Sequence, residues 1–244
     1  MELNDPSHRN GYFEVDDIDG WWKAPSRKSR DSSRPNADGD FGSVDNYEAR
    51  YITIKGAFAA KSSADRWVGA DILSSLLSSG PQIMVVRIDG QAQWATVKLV
   101  DNPEMNWTAY KLLEYSIQVK AVDPRKYGNA EVFSASVGSA AVTVFQRGTY
   151  PSLPVITISG NMPGGYKLTK GGQIVSVTAP LASSQIHTLD MATGILRING
   201  AVVTGGLNDY QWNTIEPGLG QAIALAPLTT GIGTAAIEVT DTYI

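Results

Sequence analysis

The sequence predicts a mainly β protein with one short helix, divided into an α+β first half and an all-β second half. Three observations carry this reading. Short alternating apolar runs recur along the chain, such as Val155-Ile156-Thr157-Ile158, Ile174-Val175-Ser176-Val177-Thr178 and Ile195-Leu196-Arg197-Ile198. One segment alone repeats its apolar residues at helical spacing. Charge is also unevenly shared: residues 1–127 hold 16 Lys/Arg and 18 Asp/Glu, whereas residues 128–244 hold 4 and 6. That contrast predicts two domains, 1–127 and 128–244, joined near Asp123 to Asn129.

In chain order, a polar, turn-rich stretch runs from Lys23 to Asn46. From Arg50 to Phe58, Ile52, Ile54 and Phe58 alternate with Tyr51, Thr53 and Lys55, as in a half-buried strand. The helix follows. Ser62 is its expected N-cap with Asp65 three residues on, and Val68, Ile72, Leu73, Leu76 and Leu77 form one stripe that Gly80-Pro81 ends. Such a stripe has to pack on a sheet. Gln82 to Ile88 and Ala92 to Val100 read as a hairpin around Asp89-Gly90, and Lys111 to Val122 as a long strand with Tyr115, Ile117, Val119 and Ala121 on one face. Beyond residue 128, turn clusters such as Lys170-Gly171-Gly172, Asn199-Gly200 and Glu216-Pro217-Gly218 separate short strands at the spacing of a sandwich or barrel.

Composition removes whole classes of function. With 43% hydrophobic and 18% charged residues the chain is too apolar for intrinsic disorder, and a net charge of −4 gives no polycation for nucleic acid. Cys is absent, so disulfides, thiolate metal sites and a Cys nucleophile are excluded. The Met-Glu-Leu-Asn-Asp start lacks a basic and an apolar region, and no apolar run nears the roughly 18 residues of a membrane span, so neither export nor insertion is expected.

Catalytic constellations are missing too. His8 and His187 are the only histidines, and both read as structural or solvated. Asp16, Asp17 and Asp19 before Gly20 resemble the start of a Ca²⁺ loop, but the twelfth position holds Arg27, so a turn of solvated carboxylates is expected. Trp67, Trp94 and Trp107 are expected to fill core or an interface, which leaves Trp21, Trp22 and Trp212 unassigned. No catalytic residue, metal or cofactor is expected.

One charged segment stands out. Lys23, Arg27, Lys28, Arg30 and Arg34, opposed by Asp31 alone, place +4 within twelve residues, and Pro25 and Pro35 are expected to keep the segment out of regular structure. Like charge at this density calls for a partner, and these five residues are the candidate assembly interface.

The order of features resembles the distal tail protein family of long-tailed bacteriophages. The likeness runs through an Asp-x-Asp-Gly turn (Asp17 to Gly20), the Pro- and Arg-bearing loop, a strand and short helix, a hairpin, and a long strand closing on Ala121-Val122-Asp123-Pro124-Arg125-Lys126-Tyr127. It continues through Tyr150-Pro151, Thr188-Leu189-Asp190, Arg197-Ile198-Asn199-Gly200, Trp212-Asn213-Thr214-Ile215-Glu216-Pro217-Gly218 and Val239-Thr240-Asp241-Thr242-Tyr243-Ile244. The resemblance implies a ring-forming belt domain over 1–127 and an outward-projecting, galectin-like β-sandwich over 128–244. It implies a homo-hexameric structural hub in the virion tail tip, made in the host cytoplasm, that joins the tail tube protein to a tail-associated baseplate protein. The tape measure and then the genome would pass its central channel, without specific nucleic-acid binding or a membrane. The galactose-holding cluster of galectins has no counterpart here. The alternative is a carbohydrate-binding receptor module, for which the six Trp are the attraction.

Overall fold

The computed structural model describes residues 3–5, 8–28, 32–41 and 46–244. They are predominantly strand, with a single α-helix among the described residues. The chain forms two compact units, one from residues within 1–86 and 94–125, the other from 87–93 and 126–243.

The first unit contains β1 (Gly11–Asp19), β2 (Arg50–Ala60), α1 (Arg66–Ser74), most of β3 (Gln82–Ile88) and of β4 (Gln91–Leu99), β5 (Glu104–Ala109) and β6 (Leu112–Ala121). β2 is central, antiparallel to β1 on one side and β6 on the other. β6 is long enough to take two partners: its first half pairs with β5 and its last residues with β4. The period-two pattern read from Arg50 to Phe58 holds along all of β2. Ile52, Ile54 and Phe58 are buried with Phe13 of β1, Leu113, Tyr115, Ile117 and Val119 of β6, and Val97 of β4. Each such side chain contributes about 1.5–3 kcal/mol on burial. The β3–β4 turn has φ of 50° at Asp89 and 78° at Gly90, the doubly left-handed geometry that matches strand twist.

The helix starts later and stops earlier than its sequence pattern. Ser62 Oγ accepts the Asp65 N–H at 3.3 Å, which organises the turn ahead of the helix, and Asp65 stands at the N-cap. Regular helix ends at Ser74, so Leu76 and Leu77 reach the core from the following turns while Leu73 is its fully buried anchor. The residues Asp16 to Asp19 are not a turn: they lie in β1, with Asp16 the unpaired residue of a bulge between Val15 and Asp17, and Gly20 makes the turn.

In the second unit the strands are β7 (Lys126–Ser136), β8 (Val142–Val144), β9 (Val155–Asn161), β10 (Tyr166–Lys170), β11 (Gln173–Val177), β12 (Ile186–Asp190), β13 (Ile195–Ile198), β14 (Ala201–Val203), β15 (Leu207–Tyr210), β16 (Gln221–Pro227) and β17 (Ile232–Tyr243). One antiparallel sheet runs β7-β17-β9-β12-β13-β14 and the other β8-β16-β10-β11-β15. Their apolar faces share one core, with Ile156, Ile158, Leu189 and Ile237 from the first sheet and Leu168, Val175 and Ile223 from the second. The stretch read as a joining segment, Asp123 to Asn129, is partly strand. β7 begins at Lys126, because pairing with Tyr243 and Thr242 supplies backbone partners that its polar sequence does not advertise.

Candidate assembly interface

The basic segment is built as a ribbon. Arg27 and Lys28 pair with Tyr47 and Asn46, and Ser32 and Ser33 with Phe41 and Asp40, both antiparallel. The Glu48 N–H donates to the Ser26 carbonyl at 2.8 Å at the base, and the Arg34 N–H to the Gly39 carbonyl at 3.2 Å near the tip. The expectation that Pro25 and Pro35 exclude regular structure is therefore overturned. Pro25 precedes the first paired residue and Pro35 follows Arg34 in the tip, where neither has to donate to a ladder.

The ribbon changes the charge argument as well. Its return limb carries Asp38, Asp40 and Glu48, so the excess of the outgoing limb is offset by carboxylates that the fold brings alongside. Lys23 forms an ion pair with Asp19, one helical-turn spacing away in sequence but across the Gly20 turn, and this raises the Lys23 pKa and lowers that of Asp19. Arg27 lies over the Tyr47 ring at 5.2 Å and donates to its hydroxyl at 3.2 Å; Arg34 lies 5.3 Å from the Phe41 ring centroid. Lys28 is exposed. Arg30 lies outside the described residues. Cation–π pairs thus staple the two limbs where a hydrophobic core is lacking.

Arg50 anchors the base, and sequence reasoning missed it. It is 1% exposed. Its Nη1 donates to the carbonyls of Gly20 at 2.8 Å, Trp21 at 3.2 Å and Lys23, and its Nε to Pro124 at 3.0 Å. Burial lowers its pKa. An Arg opening an alternating strand looks like any solvated end residue; only the surrounding carbonyls distinguish it.

The other singled-out residues fall in separate places. His187 is buried in the second unit with Nδ1 3.2 Å from the Tyr166 hydroxyl, and burial lowers its pKa against the opposing Pro180 carbonyl. His8 meets the Phe13 ring edge-on at 5.4 Å. Trp21 and Trp212 are core residues, whereas Trp22 is exposed. Trp67, expected in core or an interface, is not in the core: it is 61% exposed, because it points away from the face of α1 that Leu73 buries. It stands 6.0 Å from Trp107, and the guanidinium of Arg66 sits among Trp107, Tyr110 and Trp67 at 4.7, 4.9 and 5.3 Å. A groove of about 460 Å³ elsewhere on the same unit is lined by Asp16, Asp17, Lys55, Glu104, Met105 and Glu114. Among the described residues, no group of three or more His, Asp or Glu is placed to hold a metal ion.

No protein-family model matches the sequence, and no curated protein matches it. Its fold does match. The crystal structure of Dit (gp 19.1) of phage SPP1, described as a paradigm of hub adsorption apparatus in phages infecting Gram-positive hosts, aligns at a TM-score of 0.70, with 13% identity over 96% of this chain and 94% of that one. The chain has the fold of a phage tail hub protein. The match agrees with the resemblance to distal tail proteins read from the sequence, and the alignment runs through both units. Two structures of the phage P2 baseplate in its activated conformation, with Ca and with Sr, align at TM-scores of 0.49 and 0.47. Each is 8% identical, over 93% and 92% of this chain and 90% and 89% of theirs.

Proposed function

We propose that this protein is a distal tail protein: a non-catalytic, hexameric ring that joins the tail tube to the baseplate or tail tip of a long-tailed phage and leaves a channel for the tape measure and the genome. The observation that carries the reading is the hub fold, matched over almost all of both chains. In this reading residues 1–127 form the ring and residues 128–244 are a galectin-like sandwich. The protein is made in the host cytoplasm and resides in the virion tail, against copies of itself, the tail tube protein, a baseplate hub protein and the tape measure.

The segment Lys23, Arg27, Lys28, Arg30 and Arg34 belongs to the assembly surface. A two-stranded ribbon without a third strand or a core is marginal in water, and one exposed along both limbs is ordered by a neighbour. Negative-stain imaging and light scattering of the full-length protein test the proposal. Closed six-fold rings are expected; monomers or two-fold dimers in every condition, including mixtures with the adjoining tail proteins, would overturn it.

A further inference from the structure

The first unit carries two unlike surfaces, and cyclic assembly needs unlike surfaces because each patch of one copy meets a different patch of the next. One is cationic and aromatic. Arg66 opens α1, Trp107 lies on β5 and Tyr110 follows it in the turn to β6, so three elements bring their side chains to one end of the unit. Trp67 and Tyr110 are 61% and 65% exposed. Arg66 makes no ion pair among the described residues, and its buried Nε has no hydrogen-bond partner. The same end holds the exposed Lys61 and Lys111, tied together by donation from Lys111 Nζ to the Lys61 carbonyl at 3.0 Å. The neighbouring carboxylate, Asp65, is already occupied, accepting from Asn10 at 2.6 Å and from Ser62. The positive charge of this end is therefore left for an external partner. Arg, Trp and Tyr clustered at a surface are also the residues that dominate protein–protein contacts.

The second surface is the groove of about 460 Å³ on the same unit, where Asp16, Asp17, Glu104 and Glu114 outnumber Lys55. Paired positions show why the carboxylates gather there. Asp17 stands opposite Lys55, Glu104 opposite Ser116 and Glu114 opposite Ala57, on the face of the β1-β2-β6-β5 sheet turned away from Phe13, Phe58 and Leu113. The edge-to-face Trp67–Trp107 pair gives no coplanar platform for a sugar, while a groove lined by four carboxylates suits a guanidinium flanked by rings.

We infer that the Arg66, Trp67, Trp107 and Tyr110 end of one copy docks on the Asp16, Asp17, Glu104 and Glu114 groove of a second copy, as the repeating contact of the ring. This rests on the hub reading and names the residues that close it. The full-length protein tests it through two charge-reversed variants, Arg66→Glu with Lys111→Glu, and Glu104→Lys with Glu114→Lys. Each variant alone is expected to remain monomeric with an unchanged circular dichroism spectrum, and an equimolar mixture of the two is expected to recover rings, since each then meets a complementary face. Wild-type rings are expected to loosen with rising salt.

Rings formed by either variant alone would overturn the contact while leaving the hub reading in place. So would two monomeric variants whose mixture stays monomeric. A wild type that never forms rings would overturn both. If Arg66→Glu does not fold, Trp67→Ala with Lys111→Glu replaces it, and undiminished rings from that variant count equally against the contact.

Discussion

Arg50 Nη1 donates to the Gly20 carbonyl at 2.8 Å, across the turn from which the ribbon departs. Gly20 has φ +85°, and a Cβ there would stand 2.1 Å from the Tyr51 carbonyl oxygen, so the turn lies directly on the strand that carries Arg50. One buried guanidinium therefore serves the carbonyls of a tight turn and, through Pro124, the exit of the last strand of the unit. Replacing Arg50 with Met leaves those carbonyls without a donor in a buried site, at about 1–3 kcal/mol for each. Denaturant unfolding should show a loss of at least about 3 kcal/mol, only partly recovered by Arg50→Lys, whose single ammonium cannot span both sides. A change within about 0.5 kcal/mol would refute this role.

Tyr115 donates its hydroxyl to the Glu14 carbonyl at 2.7 Å, reaching over Gly56. A Cβ at Gly56 would meet that carbonyl oxygen at 2.0 Å and the Tyr115 hydroxyl at 2.6 Å. Gly56→Ala is expected to lower stability by at least about 2 kcal/mol, since the nearer clash is with backbone that cannot move aside. Tyr115→Phe removes one hydrogen bond, about 1 kcal/mol. The double variant should remain nearly as unstable as Gly56→Ala; full recovery would show that the side chain, and not the strand, sets the spacing.

His187 makes the second unit sensitive to mild acid. Burial holds its pKa below the ordinary 6.5, so between that lowered value and 6.5 the unfolded chain binds more protons than the folded one. Stability then rises with pH through this window and falls as pH drops through it. Melting temperature measured from pH 7.5 to 5 should decline below about 6.5. His187→Gln should flatten that part of the profile, leaving the carboxylate-driven loss at lower pH; parallel profiles for the two proteins would count against the assignment.

Gln146 joins three parts of the second unit from a buried position. Its Nε2 donates to the Tyr150 carbonyl at 2.6 Å and the Ile215 carbonyl at 3.1 Å, and its Oε1 accepts from Thr242 N–H at 3.0 Å. Gln146→Leu keeps the size of the side chain and strands the Tyr150 carbonyl and the Thr242 N–H, while the Ile215 carbonyl still accepts from the Ser152 N–H at 3.0 Å. The expected cost is about 2–4 kcal/mol, together with faster hydrogen exchange at Thr242 than at central β9 amides. Exchange unchanged at Thr242 would mean that the end of β17 is held by its strand partners alone.

Much of the fold was legible because strand and helix signals are local. Ile52, Ile54 and Phe58 declare a buried face by their spacing, Asp89-Gly90 declares a hairpin turn by its tolerance of positive φ, and Leu73 declares a helix face by its place in the apolar stripe. The ordered motifs carried the hub fold as well. What the sequence by itself determined is therefore the element types, the contrast in charge between halves and the class of architecture. Tertiary structure alone decided the fate of isolated polar and aromatic residues. Arg50 is buried because Gly20, Trp21, Lys23 and Pro124 turn their carbonyls to it, Arg34 is offset because the ribbon folds Asp40 back beside its limb, and Trp67 is exposed because Leu73 takes the inward side of α1. The physical reason is one of range. Periodicity is set by backbone geometry over a few residues, whereas the free energy of a single cation or ring depends on groups that only folding brings next to it, tens of residues away along the chain.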